Sequence, residues 1–212
     1  MANDDVYQVP LPPADLDNRR IPEKQFNLAA VDLFRIHRKI HSPIFYNRTM
    51  TSTTRFRWDS ATGAFGVLYA APELITCLAE TVIRTKLQGS LMIEEREIEE
   101  RMYSRLGCAT QPVLKLADLT KDLFAIGADM QICSTGQYDV PNRWSDALYQ
   151  HPSQFDGIYY ASRFTNRPAV AIFDRVRMDR RGASVHLSEA PEVAELLDAY
   201  SIALVPSLGE WE

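Results

Sequence analysis

The chain has 212 residues, of which 46% are hydrophobic, and this is enough for one large domain with a sizeable core. Its 23 basic and 28 acidic residues give a net charge of −5, which argues against a nucleic-acid-binding domain, because such domains are usually basic. No apolar run approaches the roughly 20 residues of a membrane-spanning helix, and three cysteines without CxxC spacing favour a reduced, cytoplasmic protein.

The apolar pattern predicts strands and helices without a regular βαβ alternation, so we expect an α+β fold with a mixed β-sheet core and flanking helices. Residues 1–30 contain four prolines and little periodicity, which predicts an arm that packs on a single domain formed by residues 31–212. Strands are predicted at residues 31–36, 65–70, 112–116, 157–164, 169–173 and 202–206, with 169–173 central because it is apolar throughout. Helices are predicted at residues 72–82, 94–101, 117–127, 144–149 and 188–200, the last with Ser188 as its N-cap and Leu196, Leu197 and Tyr200 turned inward.

The first predicted strand places Arg35 between two apolar neighbours. Burying an arginine without a partner is very costly, so its guanidinium must meet either an anionic ligand or a structural carboxylate. Farther along, residues 51–58 combine four small hydroxyl residues with Arg55, Arg57 and two aromatic rings. This composition fits a phosphate-binding loop, and it also fits a solvated turn with an apolar plug.

Residues 65–81 begin as an apolar strand, break at Pro72 and continue with helical spacing. An apolar stripe at i, i+4 and i+8 from Leu74 should meet the core. Glu80 lies roughly 200° around the helix from Leu78, since successive residues are ~100° apart, so it stands at the edge or back of that face. On its own, the carboxylate is explained equally well by a surface charge and by a functional site.

Familiar catalytic and metal-binding motifs are missing from the sequence. His37 and His41 are four residues apart, but no glutamate completes an HExxH arrangement, so no metal site is predicted. Neither a P-loop nor a GxGxxG fingerprint is present, and no feature marks a cysteine or serine as an activated nucleophile. Residues 94–101, with their neighbouring opposite charges, predict an exposed helical face and nothing more.

Six short pieces stand in an order that is typical of one protein family. They are Leu33-Phe34-Arg35-Ile36, Thr54-Arg55-Phe56, Gly66-Val67-Leu68-Tyr69-Ala70, Leu78-Ala79-Glu80-Thr81, Leu116-Ala117-Asp118-Leu119-Thr120 and Asp156-Gly157-Ile158-Tyr159-Tyr160-Ala161-Ser162-Arg163-Phe164. Through them the chain resembles the RES-domain family over roughly residues 30–205. No single piece is specific, but the ordered set is. The name-giving Arg, Glu and Ser of the family correspond to Arg35, Glu80 and Ser162.

The resemblance implies a fold similar to ADP-ribosyltransferases and an enzyme of the kind found in bacterial toxin–antitoxin pairs, where RES toxins destroy NAD. NAD is then the substrate rather than a cofactor, and inorganic phosphate or water accepts the ADP-ribose. Arg35, Arg55, Tyr69, Glu80 and Ser162 are implied to line the NAD pocket, with Glu80, Arg35 and Ser162 as the catalytic set. Its partner is implied to be a cognate antitoxin that blocks the site, with a homodimer inside that complex as one option and no direct role for nucleic acid, metal or membrane.

The chain departs from the family pattern around the second arginine. Thr53 and Thr54 stand where glycines are common, and Arg57 stands where an asparagine is common, which leaves open whether Arg55 or Arg57 is the phosphate ligand. The spacing after the strand and the small residues before it favour Arg55. Tyr69 is expected to flank the nicotinamide ring, with plain core packing as its alternative. The other functional readings are an ADP-ribosyltransferase acting on a macromolecule and a non-catalytic nucleotide-binding module.

Overall fold

The computed structural model describes residues 8–48, 55–83 and 92–207. The strands within them are, in chain order, β1 (Glu23–Asn27), β2 (Leu33–Arg38), β3 (Val67–Ala70), β4 (Met92–Glu94), β5 (Arg101–Gly107), β6 (Val113–Asp118), β7 (Gly157–Ala161), β8 (Pro168–Phe173), β9 (Asp179–His186) and β10 (Ala203–Val205). The α-helices are α1 (Leu74–Leu78), α2 (Glu95–Glu99), α3 (Gln131–Ser134), α4 (Asp139–Gln150) and α5 (Pro191–Ala199).

The central sheet has five strands in the order β1-β6-β7-β8-β3. Strands β6 and β7 run parallel, while the other neighbours in this sheet are antiparallel. A parallel pair needs a long crossover, and the segment between these two strands supplies it with α3 and α4. The prediction of an α+β fold with a mixed sheet is therefore confirmed.

Strand β8 separates two hydrophobic clusters. Ala169, Ala171 and Phe173 face one cluster, while Val170 and Ile172 face the other, as the two-residue period of a strand requires. All five are at most 2% exposed. The prediction of a central strand at residues 169–173 is confirmed.

A second sheet, in the order β2-β5-β9, is joined to the central one just after β3. The joint is a pair of backbone hydrogen bonds between Phe34 and Ala71, with the Phe34 amide 2.7 Å from the Ala71 carbonyl and the reverse bond at 3.0 Å. The next residue after Phe34 is Arg35, so the joint brings this side chain to the point where β3 turns into α1. A short parallel pair, β4 and β10, lies apart from both sheets.

Several predicted boundaries are wrong for identifiable reasons. The helix expected at residues 94–101 ends at Glu99, and β5 begins at Arg101. Likewise β6 extends to Asp118, where a helix was expected, and only a 3₁₀ turn at Leu123–Ile126 precedes Gly127, whose φ is 81°. In both places a helix was predicted from local sequence, but strand pairing overrides that local preference.

The two C-terminal helices also differ from prediction. Helix α4 spans Asp139–Gln150 and therefore begins before the helix expected at residues 144–149. Helix α5 starts at Pro191, a residue suited to the first helical turn, and Ser188 lies in a separate 3₁₀ turn rather than capping it. Tyr200, expected to turn inward, is 48% exposed. Strand β1 lies within the segment predicted to be an arm, and it pairs with β6 as an edge strand of the central sheet.

Candidate active site

A cleft of about 410 Å³ lies where β2, the end of β3 and the first turns after β3 come together. Its wall combines cationic, anionic and aromatic side chains, which include Arg35, Arg57, Tyr69, Glu80, Arg101 and Tyr160. Three of the five residues predicted to form a nucleotide pocket, Arg35, Tyr69 and Glu80, therefore line one cleft. Ser162 stands directly behind Glu80, and Arg55 is not among the described residues of the wall.

Glu80 is held by Ser162. The Ser162 hydroxyl donates a hydrogen bond to Oε1 of Glu80 at 2.6 Å, across 82 residues of sequence. Ser162 is only 1% exposed and follows the last residue of β7. Its own backbone is fixed by bonds to Arg167 and Asn166, at 2.9 and 2.8 Å, so the hydroxyl has little freedom to move. The Ser162 hydroxyl thus orients the carboxylate, and Glu80 is partly exposed where it lines the cleft.

The helix that carries Glu80 changes its geometry at this residue. Helix α1 ends at Leu78, and a π-helical turn, Ala79–Ile83, continues it. Such turns are rare and occur frequently at functional sites, because the extra residue per turn redirects side chains. Around Glu80, Leu78, Ala79 and Val82 are all buried in the core, which anchors the turn while the carboxylate points outward.

Arg35 presents a guanidinium that the protein only partly satisfies. Its Nη1 donates to the carbonyl oxygen of Tyr69 at 2.9 Å, while its Nε is buried and has no hydrogen-bond partner. Among the described residues no carboxylate forms an ion pair with it. Burial lowers the pKa of Arg35 to about 10, yet it remains cationic at neutral pH. A largely desolvated cation with an unused donor has the chemistry that binds an anionic group.

Tyr69 contributes its ring to the cleft, while its hydroxyl is committed elsewhere. The hydroxyl donates to Oδ1 of Asp59 at 2.8 Å and accepts from the backbone amide of Trp58 at 2.9 Å. Burial raises the pKa of Tyr69 well above its ordinary value, so the hydroxyl stays neutral. Phe56 meets the Tyr69 ring edge-on, with ring centroids 5.8 Å apart. The exposed part of Tyr69 therefore offers an aromatic surface rather than an acid or a base.

The structure places Arg57, rather than Arg55, on the described wall of the cleft. The Arg57 guanidinium stacks 5.2 Å from the centre of the Tyr138 ring and donates to the Ile132 carbonyl at 3.3 Å. Burial is the main cause that lowers the pKa of Arg57, as it does for Arg35. The hydroxyl residues predicted to cradle a phosphate, at positions 51–54, lie outside the described residues.

Sequence reasoning missed an ion pair at the edge of the cleft. Arg101 binds Glu97 twice, through its Nη2 to the carboxylate at 2.7 Å and through its Nη1 to the backbone carbonyl at 2.6 Å. Both residues line the cleft, although this segment was expected to be an exposed helical face and nothing more. Their i, i+4 spacing was visible in the sequence, but it is equally common on solvated helices. Tyr160, in β7, also lines the cleft and was missed for a similar reason, because core tyrosines are frequent.

Other chemistries find little support among the described residues. No group of three or more metal-ligating side chains is present in that part of the chain. Cys77 lines the cleft, but burial raises the pKa of its thiol to about 12, and the thiol donates to the Phe34 carbonyl at 3.0 Å, so it is no ready nucleophile. A search of the described helices finds none with the length and apolar character to cross a membrane.

The family model of the RES domain matches residues 32–192, which is most of the chain and includes every residue of the cleft discussed above. The chain belongs to the RES-domain family. The resemblance inferred from six short pieces is thereby confirmed.

Two known proteins place this RES-domain chain among its relatives. A protein of Sinorhizobium fredii named "Probable toxin y4kH" is 30% identical over 125 residues, which cover 56% of this chain and 94% of the relative. The crystal structure of the M. tuberculosis MbcT-MbcA toxin-antitoxin complex contains a chain that superposes with a TM-score of 0.60. That match covers 87% of this chain and 94% of the other at 15% identity, so it shows a shared fold.

Proposed function

We propose that this RES-domain protein is an NAD-degrading toxin that cleaves the bond between nicotinamide and ribose. The observation that carries the proposal is the Glu80 carboxylate, which is bound by the Ser162 hydroxyl at 2.6 Å and lines the same cleft as the incompletely satisfied guanidinium of Arg35. Family membership and a relative named as a probable toxin support the assignment.

In the proposed reaction the bond from C1′ of the ribose to nicotinamide breaks, with its electron pair going to the nicotinamide nitrogen. An oxygen of phosphate or water then bonds to C1′, and a proton passes to solvent when water is the acceptor. Nicotinamide leaves as a neutral molecule, so the step needs no strong general acid. This agrees with a cleft whose described wall contains no histidine.

The transition state carries positive charge on the ribose ring, as it does in glycosidases. Glu80 would stabilise that charge. A carboxylate about 3.5 Å from it, at an effective dielectric constant of ~20, interacts by roughly 5 kcal/mol. If this interaction is realised only in the transition state, the rate rises by ~10³- to 10⁴-fold.

The remaining residues would bind and orient the substrate. Arg35 and Arg57 are the cations on the wall without a carboxylate partner among the described residues, and they would bind the two phosphates of NAD. Tyr69 and Tyr160 would flank the rings of the dinucleotide. Ser162 would act through Glu80 by holding its carboxylate in place. Arg55 stays a second candidate for a phosphate ligand.

A toxin of this kind needs a partner that silences it, and we propose a cognate antitoxin that covers the cleft. The support is the structural neighbour, which was crystallised as a toxin-antitoxin complex. The predicted homodimer within such a complex stays a prediction, which light scattering of the purified complex can measure.

The proposal is tested by incubating the purified protein with NAD and measuring released nicotinamide. Glu80→Gln should lower the rate at least a hundredfold, whereas Glu73→Gln should not. Glu73 is a matched control, because it precedes the same helix but is exposed, pairs with Arg167 and lies off the cleft. Equal activity of wild type and Glu80→Gln would contradict the mechanism.

Two further measurements on the same samples separate the acceptors. A rate that increases with added phosphate, together with a phosphorylated ADP-ribose product, identifies a phosphorylase; free ADP-ribose identifies a glycohydrolase. Transfer of label from NAD onto a macromolecule would instead indicate an ADP-ribosyltransferase. NAD that binds tightly and survives intact would indicate a binding module.

A further inference from the structure

Asp59 is a buried carboxylate that the proposed mechanism does not use. It is 1% exposed and lies behind the cleft wall, in the segment that leads into β3. Its Oδ2 accepts from the Asn47 side-chain amide at 2.6 Å and from the Phe56 backbone amide at 2.7 Å, and its Oδ1 accepts from the Tyr69 hydroxyl at 2.8 Å. Every one of these three partners donates to it.

These bonds join the segments that carry the cleft's cations. The bond from the Phe56 amide, with the return bond from the Asp59 amide to the Phe56 carbonyl at 3.2 Å, closes a turn that presents Phe56 and Arg57 to the cleft. The bond from the Tyr69 hydroxyl fixes the residue whose carbonyl holds Arg35. One carboxylate therefore ties the Arg57 turn to the strand beside Arg35.

The second support of this turn comes from α4. Asn142 donates to the carbonyls of Phe56 and Arg57, at 2.8 and 3.0 Å, and Ser145 donates to the Trp58 carbonyl at 2.6 Å. These contacts hold other parts of the turn, whereas two groups of the turn reach Tyr69: the Asp59 carboxylate and the Trp58 backbone amide, which donates to the Tyr69 hydroxyl at 2.9 Å. The connection between the turn and β3 thus runs through the Tyr69 hydroxyl, and the Asp59 carboxylate is its charged member.

We propose that Asp59 is a positioning residue of this cleft, which holds Arg57 and Tyr69 in the arrangement that an anionic nucleotide requires and does so only as a carboxylate. The inference rests on the proposed function for its substrate, although its geometric basis is independent of the reaction. It also implies that the protein loses activity in mild acid.

The reason lies in the hydrogen-bond pattern. A protonated carboxyl group must donate one bond, but the Phe56 backbone amide can only donate, and the Asn47 side chain could accept only by flipping its amide. The Tyr69 hydroxyl could accept the proton's bond only by turning its own hydrogen away from Asp59. Protonation therefore breaks one of the three bonds to Asp59 or forces Asn47 or Tyr69 to reverse its hydrogen bond, and each case disturbs the connection between the turn and β3.

The charge balance around Asp59 places this change near physiological pH. Burial raises its pKa to about 6, against the opposing effect of the three donated bonds and of the nearby positive charge of Arg55. Tyr69 is the titratable group that faces it from β3, and it stays neutral in this range. With that pKa, the ionised fraction of Asp59 falls about tenfold between pH 7 and pH 5.

The test compares kcat/KM for nicotinamide release between about pH 5 and pH 8 in wild type, Asp59→Asn and Asp146→Asn. Wild type should lose about tenfold from pH 7 to pH 5. Asp59→Asn should be about tenfold slower at pH 7, chiefly through a higher KM, but nearly independent of pH. Asp146 supports the same loop by accepting from Ser60 and Ala61, at 2.7 and 3.1 Å, so Asp146→Asn should keep the wild-type profile.

An acid limb that persists unchanged in Asp59→Asn overturns the inference, because another group then controls the pH dependence. If wild type releases no nicotinamide at any pH, the proposed function fails. The inference about Asp59 is then tested by measuring the affinity for ADP-ribose by calorimetry over the same pH range. An affinity that falls about tenfold in wild type but stays level in Asp59→Asn supports it. The same pH dependence in both proteins overturns it.

Discussion

The bond between Ser162 and Glu80 gives the sharpest quantitative prediction of the proposed mechanism. Ser162→Ala removes the hydroxyl that donates to Glu80 at 2.6 Å and leaves the backbone bonds of Ser162 to Arg167 and Asn166 intact. A hydrogen bond to a charged group contributes about 1.5–3 kcal/mol, so its loss should lower the rate roughly 10- to 100-fold. The change is only one oxygen atom, and the fold should tolerate it.

The loss should appear in kcat rather than in KM. Ser162 orients a carboxylate that acts on charge formed in the transition state, and such an interaction lowers kcat and kcat/KM together. The assay is the initial rate of nicotinamide release at a series of NAD concentrations. Thermal unfolding of wild type and variant checks that both are folded at the assay temperature.

A double-mutant cycle distinguishes this role from direct substrate contact. If Ser162 acts through Glu80, Ser162→Ala should cost less than about threefold when Glu80 is already Gln, because the charged partner is gone. If the fold-losses in rate of the two single variants multiply in the double variant, Ser162 acts on the substrate itself. An unchanged kcat in the single variant would refute the orienting role altogether.

Two further outcomes are expected. In steady-state kinetics, Arg57→Met should raise KM for NAD at least tenfold, and Arg55→Met should raise it by much less. The reason is that, of the two, only Arg57 is on the described wall of the cleft. A larger effect for Arg55→Met would identify Arg55 as the phosphate ligand. Ionisation of Asp59 should lower the free energy of unfolding by about 3 kcal/mol, since burial raises the pKa of Asp59 from 3.8 to about 6. The free energy of unfolding of wild type, relative to Asp59→Asn in urea titrations, should therefore be highest below about pH 4 and fall until about pH 6; a constant difference would contradict the buried-carboxylate argument.

The sequence indicated much of the central sheet because its strands are apolar and lie between turn residues. Residues 169–173 could be placed in the interior, since a strand that is apolar throughout needs cover on both faces. Strand β9 was missed because its residues are polar and largely exposed, which is typical of an edge strand. Strand β5 was missed because it follows a highly charged helix without a turn signal.

The site was predictable only through the family resemblance. Periodicity placed Glu80 off the buried stripe of its helix, but nothing in the spacing of residues 80 and 162 shows that their side chains meet. That contact depends on the crossover between β6 and β7 and on a π-helical turn, neither of which has a local sequence signal. The arrangement of Arg57 and Asp59 depends on bonds to Tyr69 and α4, which are equally non-local.

Several groups whose burial costs the fold free energy are gathered around one cleft. Arg35 is desolvated, with a buried donor left unused, and Arg57 is desolvated on the wall of the same cleft. Asp59 is kept ionised at neutral pH although burial favours its neutral form. None of these features is explained by stability, since apolar residues in their places would avoid the desolvation. They are explained together if the cleft is built in advance for an anionic ligand, whose phosphates supply the acceptors that the folded chain withholds.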